Sequence, residues 1–176
     1  ETYVPTTNSA VYLPRVGHHI YNGSAWVNEG VLHESEARTN QAAYSEDFSQ
    51  WLKGSSTTVT AGFTSPDGGS NAYRLEMPQA GGTYMRLSTT LVSGSDYTFS
   101  IYVKDNGTGT GSQFILDTAQ VGGGPLITAT DEWVRYSITF TAPSSTVFAN
   151  IDNGTHSSGT DLLIYGAQVE LGSNPS

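Results

Sequence analysis

The chain has 176 residues, no cysteine, and 7 basic against 16 acidic side chains, a formal net charge of −9. Disulfides and Cys-ligated zinc are excluded, and nucleic acid, anionic membranes and polyanionic sugars are disfavoured because each needs a basic face. Charged residues are only 13% of the chain, about half the usual share, and Ser, Thr, Asn, Gln and Gly carry the polarity, which suits strands and turns.

Residues 1–39 read as an extended leader. TYVPTTNSAVYLPR holds two prolines and no core pattern. HHIYNGSAWVNEGVLHE reads as a small hairpin with Asn22-Gly23 at its turn and Ile20, Trp26, Val27, Val31 and Leu32 as its apolar residues. This leader is expected to pack on a main domain over 40–176. A short helix is predicted around Glu46–Leu52, with Ser45 capping the turn through Phe48 and two acids at its positive end.

Alternation then takes over. In TYMRLSTTL from Thr83, Met85, Leu87 and Leu91 share one face, and Tyr84, Arg86, Ser88 and Thr90 the other. In YTFSIYVK, Tyr97, Phe99, Ile101 and Val103 point inward, opposite Thr98, Ser100, Tyr102 and Lys104. In EWVRYSITFTA, Val134, Tyr136, Ile138 and Phe140 point inward, with Trp133, Arg135, Ser137 and Thr139 outward. Further strands are predicted near Thr57–Ala61, Ala72–Glu76, Gln113–Thr118, Thr146–Ile151 and Leu162–Leu171. Turn-rich segments such as SPDGGSN, DNGTGTGS, VGGGP and NGTHSSG separate them. The fold class is all-β: an antiparallel β-sandwich, or jelly roll, of about eight to ten strands with a small N-terminal hairpin extension. No apolar run approaches the roughly 18 residues of a membrane span, and no signal-peptide pattern opens at Glu1.

Catalytic chemistry finds little support. Glu46 and Asp47 are adjacent, so their side chains diverge. No G-x-S-x-G elbow is present. His18, His19, His33 and His156 show no metal-binding spacing. The chain reads as a non-enzyme. Asp105-Asn106-Gly107 and Asp152-Asn153-Gly154 are turn formers that lack the frame of a Ca²⁺ loop. Aromatic residues among polar ones on a strand face suit a pyranose ring and its hydroxyls. The outward residues Tyr84, Arg86, Tyr102, Gln113, Trp133 and Arg135, with Phe148 and Asn150 from the Thr146–Ile151 strand, are the candidate carbohydrate-binding set.

Several segments carry a resemblance. GVLHESEARTNQAAYSEDFSQW, residues 30–51, is similar to a signature of phage tail and virion proteins, G-L-L-I-E-x-x-R-T-N-L-L followed by S-E-D-F-x-x-W. Gln41-Ala42-Ala43 departs from the usual Leu-Leu. Tyr97–Lys104 resembles the Y-T-x-S-x-Y-V-K strand of that family. Glu132–Ala142 resembles W-x-R-Y-S-x-T-F-T-A, and Ile164–Gly172 resembles I-x-G-A-Q-x-E-x-G. The order of strands resembles family-four, family-nine and family-twenty-two carbohydrate-binding modules. The resemblance implies a jelly roll that binds glycans without cleaving them, in which an N-terminal segment and the last strand clasp one another, here Ser45–Phe48 and Asp161–Glu170. It also implies a structural Ca²⁺, for which Glu46 and Asp161 are the candidate ligands. No other cofactor is required.

The opening Glu1–Thr7 resembles the S-Y-I-P-T-T tail of such a domain, implying a unit tethered to further domains of a longer virion or extracellular chain. The expected partner is a neutral or mildly cationic glycan or polysaccharide, with no nucleic acid and no membrane insertion. The rival expectation is a structural or adhesive virion domain whose exposed aromatics meet a neighbouring subunit. A third, a polysaccharide-active jelly-roll enzyme, lacks a convincing acid pair.

Overall fold

A computed structural model describes residues 15–16, 19–21, 24–28, 31–32, 39–78, 83–107, 111–153 and 159–173. The chain separates into two compact units, Glu1–Arg38 with Ser176, and Thr39–Pro175. In the first, β1 (Arg15–Val16) pairs with β4 (Val31–Leu32), and β2 (His19–Tyr21) pairs with β3 (Trp26–Asn28), both antiparallel. The Asn22-Gly23 turn lies outside the described residues, as do His18, His33 and His156 and the Gly30, Glu34 and Arg38 positions of the signature.

The second unit is a jelly roll of two antiparallel five-stranded sheets. Sheet 1 runs, in spatial order, β11 (Leu126–Thr128), β10 (Gln113–Thr118), β13 (Thr146–Asp152), β8 (Tyr84–Thr90) and β5 (Leu52–Lys53). Sheet 2 runs β12 (Val134–Thr141), β9 (Asp96–Asp105), β14 (Thr160–Leu171), β7 (Ala72–Met77) and β6 (Thr58–Phe63). The alternating strands turn one apolar face each into the space between the sheets. Met85, Phe114, Leu116 and Ile151 from sheet 1 meet Leu75, Phe99, Ile101 and Ile164 from sheet 2, all at 0% exposure. At β12 the inward set is Tyr136, Ile138 and Phe140, half-buried against that core.

The expected helix over Glu46–Leu52 is a single 3₁₀ turn, Phe48–Gln50, and Leu52 already belongs to β5. Phe48 and Trp51 are driven into the core, their ring centroids 5.1 Å apart. Burying Phe48 starts the turn there and makes Asp47 the cap in place of Ser45. Asp47 Oδ1 accepts from Ser49 N at 3.2 Å and from Ser49 Oγ at 2.6 Å. Trp51 Nε1 donates to Tyr44 O at 3.1 Å, so the buried indole keeps its hydrogen bond.

A clasp joins the two ends of this unit. β14 pairs with β7 only over Thr160–Ile164. A bulge follows, with Gly166 at φ 58°, a left-handed conformation suited to glycine. Beyond the bulge, the segment from Asn40 to Ser45 takes over as partner. Gln41 N donates to Val169 O at 2.7 Å, Val169 N to Asn40 Oδ1 at 2.9 Å, Asn40 Nδ2 to Ala167 O at 3.1 Å, and Ala167 N to Ser45 O at 2.9 Å. The clasp thus centres on Asn40–Ser45 and Ala167–Val169. Thr89 Oγ1 on β8 donates to Gln41 O at 3.0 Å, which ties the same segment to sheet 1.

Candidate functional site

Strand alternation places Tyr84, Arg86 and Ser88 of β8, Phe148, Asn150 and Asp152 of β13, and Gln113, Ile115 and Asp117 of β10 on the outer face of sheet 1. Register then aligns them. Leu52, Arg86, Asn150 and Asp117 form one row across β5, β8, β13 and β10. The Arg86 guanidinium lies between two rings, its Cζ 4.5 Å from the Tyr84 centroid and 4.6 Å from that of Phe148. Cation–π attraction to both rings holds the side chain in place.

Two atoms of this row lack partners. Arg86 Nε is buried with no acceptor. Asn150 is 4% exposed although it points away from the core. Its Nδ2 donates to Asp117 Oδ1 at 2.8 Å, while its Oδ1 is buried with no donor. Each unmade hydrogen bond of this kind costs about 1–3 kcal/mol. A donor and an acceptor on directly paired residues are therefore left for something else to satisfy. Burial pushes the Asp117 carboxyl up from its usual range, the bond from Asn150 pulls it down, and the charge of Asp152 adds to the rise.

The eight expected sugar-contacting residues do not share this face. Tyr84, Arg86, Phe148 and Asn150 come together. Gln113 is on the same face but four residues before Asp117, about 13 Å along the strand. Tyr102 and Arg135 lie on the outer face of sheet 2, and Trp133 precedes β12 on that sheet. There the side chains are engaged with one another. The Tyr102 and Tyr165 rings are 6.3 Å apart. Arg135 Cζ lies 5.5 Å over Tyr102 while its Nε and Nη2 donate to Ser100 Oγ at 3.2 and 2.8 Å. Tyr102 Cδ2 is 3.7 Å from where a side chain on Gly166 would begin, so the ring covers the bulge. One polar atom of this face, Gln168 Oε1, is buried without a partner, and it has no unpartnered donor beside it.

Asp117 and Leu52 belong to the sheet 1 row and were not among the expected residues. The alternation in QFILDT sets Asp117 outward with Gln113 and could have found it. Nothing local marks Leu52.

The two expected calcium ligands keep separate partners. Asp161 is gripped by Arg74, Nε to Oδ1 at 2.9 Å and Nη2 to Oδ2 at 2.7 Å, and Asn106 Nδ2 donates to its Oδ1 at 3.1 Å. Glu46 Oε1 accepts from Tyr165 Oη at 3.3 Å. Among the described residues no three His, Cys, Asp or Glu side chains gather as metal ligands would. Asp161, surrounded by donors, does not fit a site shared with Glu46.

No protein-family model and no curated protein matches this chain. Solved structures do. The CBM22-1 xylan-binding domain of Paenibacillus barcinonensis Xyn10C aligns with TM-score 0.58 and 14% identity, over 81% of this chain and 100% of that one. The fold is the jelly roll of such modules. The CBM22-1–GH10 modules of Clostridium thermocellum endo-1,4-beta-D-xylanase 10B, complexed with xylohexaose, align with TM-score 0.54 and 17% identity over 81% of this chain. This chain spans 30% of that two-module structure. A bacteriophage CBA120 tailspike, in its enzymatically active domain, aligns with TM-score 0.50 and 16% identity over 75% of this chain and 21% of its own.

Proposed function

We propose that the Thr39–Pro175 unit is a non-catalytic carbohydrate-binding module with its site on the outer face of sheet 1. The observation that carries this reading is the unpartnered pair, Arg86 Nε–H and Asn150 Oδ1. A sugar hydroxyl accepts one hydrogen bond and donates another, so glycan hydroxyls can meet both needs once a ligand opens the covered atoms. A carboxylate would satisfy Arg86 but set an acceptor against Asn150 Oδ1. An ammonium would satisfy Oδ1 but face the guanidinium. A neutral glycan therefore fits best. Tyr84 and Phe148, each half-buried with one ring face toward Arg86, supply the aromatic surface against which a pyranose would pack. The virion or extracellular setting rests on the resemblance of residues 30–51 to the virion-protein signature.

Recognition through two rings and a few hydrogen bonds implies a single-site free energy of about −4 to −8 kcal/mol, millimolar to micromolar, with repeated copies raising avidity. The test is affinity electrophoresis over a panel of neutral polysaccharides headed by xylan, which the Paenibacillus neighbour binds. Retardation is expected for the wild type and for Tyr102→Ala, and lost in Tyr84→Ala and Phe148→Ala. Absence of retardation on every glycan overturns the proposal, and loss in Tyr102→Ala alone moves the site to sheet 2.

A further inference from the structure

Strand β13 is longer than its neighbour. Its residues from Ala149 to Asp152 pair with β10, which ends at Thr118. Thr146, Val147 and Phe148 reach past that end. The chain turns there, with Val121 N and Gly122 N both donating to Thr118 O at 2.9 and 2.8 Å. Yet the ladder does not stop. Ala119 N donates to Phe148 O at 3.1 Å. Gln120 then folds its side chain back. Gln120 Oε1 accepts from Phe148 N at 3.1 Å, and Gln120 Nε2 donates to Thr146 O at 3.1 Å.

A carboxamide holds one acceptor and one donor side in a plane, as a peptide group does. The Gln120 side chain therefore acts as one more peptide of β10, supplied after the strand has ended. Its backbone is held by the turn at Thr118. The rest of the turn lies against β10, since a Cβ on Gly124 would fall 1.9 Å from Leu116 O.

Phe148 is one of the two rings that hold the Arg86 guanidinium. We infer that Gln120, an exposed residue of the β10–β11 turn, is a positioning residue for the outer face of sheet 1: it fixes the end of β13 and so keeps Phe148 against Arg86. The inference deepens the carbohydrate-binding proposal and rests on it for its consequence in affinity. Without Gln120, the Phe148 N–H and Thr146 C=O sit on an open sheet edge and exchange with water, and the ring swings away from the guanidinium.

The experiment reads the Arg86 Nε–H resonance by NMR in ¹⁵N-labelled full chain, because a proton between two aromatic faces is shifted upfield by their ring currents. Phe148→Leu sets the value with one ring removed. Gln120→Ala is expected to move the resonance toward that value while the protein stays folded. Gln120→Glu keeps the acceptor but not the donor. It should resemble Gln120→Ala at pH 7 and return toward the wild type, compared at equal pH, below about pH 4, where a protonated carboxyl again donates. Glycan affinity of Gln120→Ala should fall by roughly three- to tenfold. A folded Gln120→Ala protein with the wild-type Arg86 resonance overturns the inference. A wild type that binds no glycan overturns the proposed function instead, and the resonance still decides whether Gln120 positions Phe148.

Discussion

Arg74 and Asp161 face each other across β7 and β14 as a planar fork, Nε to Oδ1 at 2.9 Å and Nη2 to Oδ2 at 2.7 Å. They are diagonal neighbours, two positions off the Asp161–Glu76 register, and Arg74 also reaches Glu76 Oε1 at 2.9 Å. Two parallel charge-assisted bonds fix orientation in a way that one ammonium cannot. Arg74→Met and Asp161→Asn should each lower the thermal midpoint, and the double variant should lose less than the sum. Arg74→Lys should keep only part of the wild-type value. Strictly additive losses would show the fork to be without coupling. Because Asp161 is already neutralised by Arg74, Glu46→Gln should leave the midpoint and its response to added Ca²⁺ or to chelator unchanged.

Acid stability should divide between two kinds of carboxyl. Ser49 holds the Asp47 carboxyl below its ordinary range, helped by Tyr73, and Ser65 and the Gly69 N–H do the same for Asp67. A depressed carboxyl contributes stability above its unfolded pKa of about 4, and that contribution is lost as pH falls through the lower folded value. The midpoint should therefore drop below about pH 4, and less steeply in Asp47→Asn. Asp117 runs the other way. Burial raises it, so its contribution is present below the unfolded pKa and lost as pH rises through the folded one. Asp117→Asn retains an acceptor for Asn150 and should raise the midpoint at pH 7. Melting curves from pH 3 to pH 8 separate the two.

Core truncation should be severe at the opening of the domain. Phe48 is fully buried between Trp51 and Tyr73, the latter 5.4 Å away edge-on. Phe48→Ala should cost about 3–5 kcal/mol. Trp51→Phe removes the indole bond to Tyr44 O, which still accepts from Asp47 N at 3.2 Å, so the lost hydrogen bond costs only about 0.5–1.5 kcal/mol. Urea denaturation with a common m-value measures both.

Tyr44 stands at φ 57° with its side chain 57% exposed. A non-glycine residue in this region carries about 1–3 kcal/mol of strain, and here the ring gains little in return. Asn tolerates the conformation better. Tyr44→Asn should raise the midpoint slightly and leave the Trp51 bond, made to the backbone, intact. A lower midpoint would mean that the ring has contacts of its own.

Period-two alternation specifies strands and the sense in which each faces. Gln113–Thr118 and Tyr97–Lys104 are strands as read, and Met85, Phe99 and Ile138 all point inward. Alternation does not specify which sheet a strand joins. Every strand of a sandwich has an outward side, but there are two outsides. Tyr84 and Tyr102 look equivalent in sequence, and only pairing tells that they lie on opposite faces. The two short strands were beyond reach for another reason. Leu52–Lys53 and Leu126–Thr128 are too brief for a period. The unpartnered atoms of Arg86 and Asn150 follow from register, which no local pattern carries.

The clasp has a consequence for how the chain becomes a domain. Asn40 meets Ala167 and Val169, contacts separated by 127 and 129 positions. Segment 40–45 leaves the ribosome early, and its partner is among the last strands made. The early segment must wait unpaired, its edge exposed, until almost the whole domain has been synthesised. Closing so long a loop is entropically slow. The domain should therefore fold late and all at once, over milliseconds to seconds, and a nascent chain stalled before Ala167 should remain open to proteases.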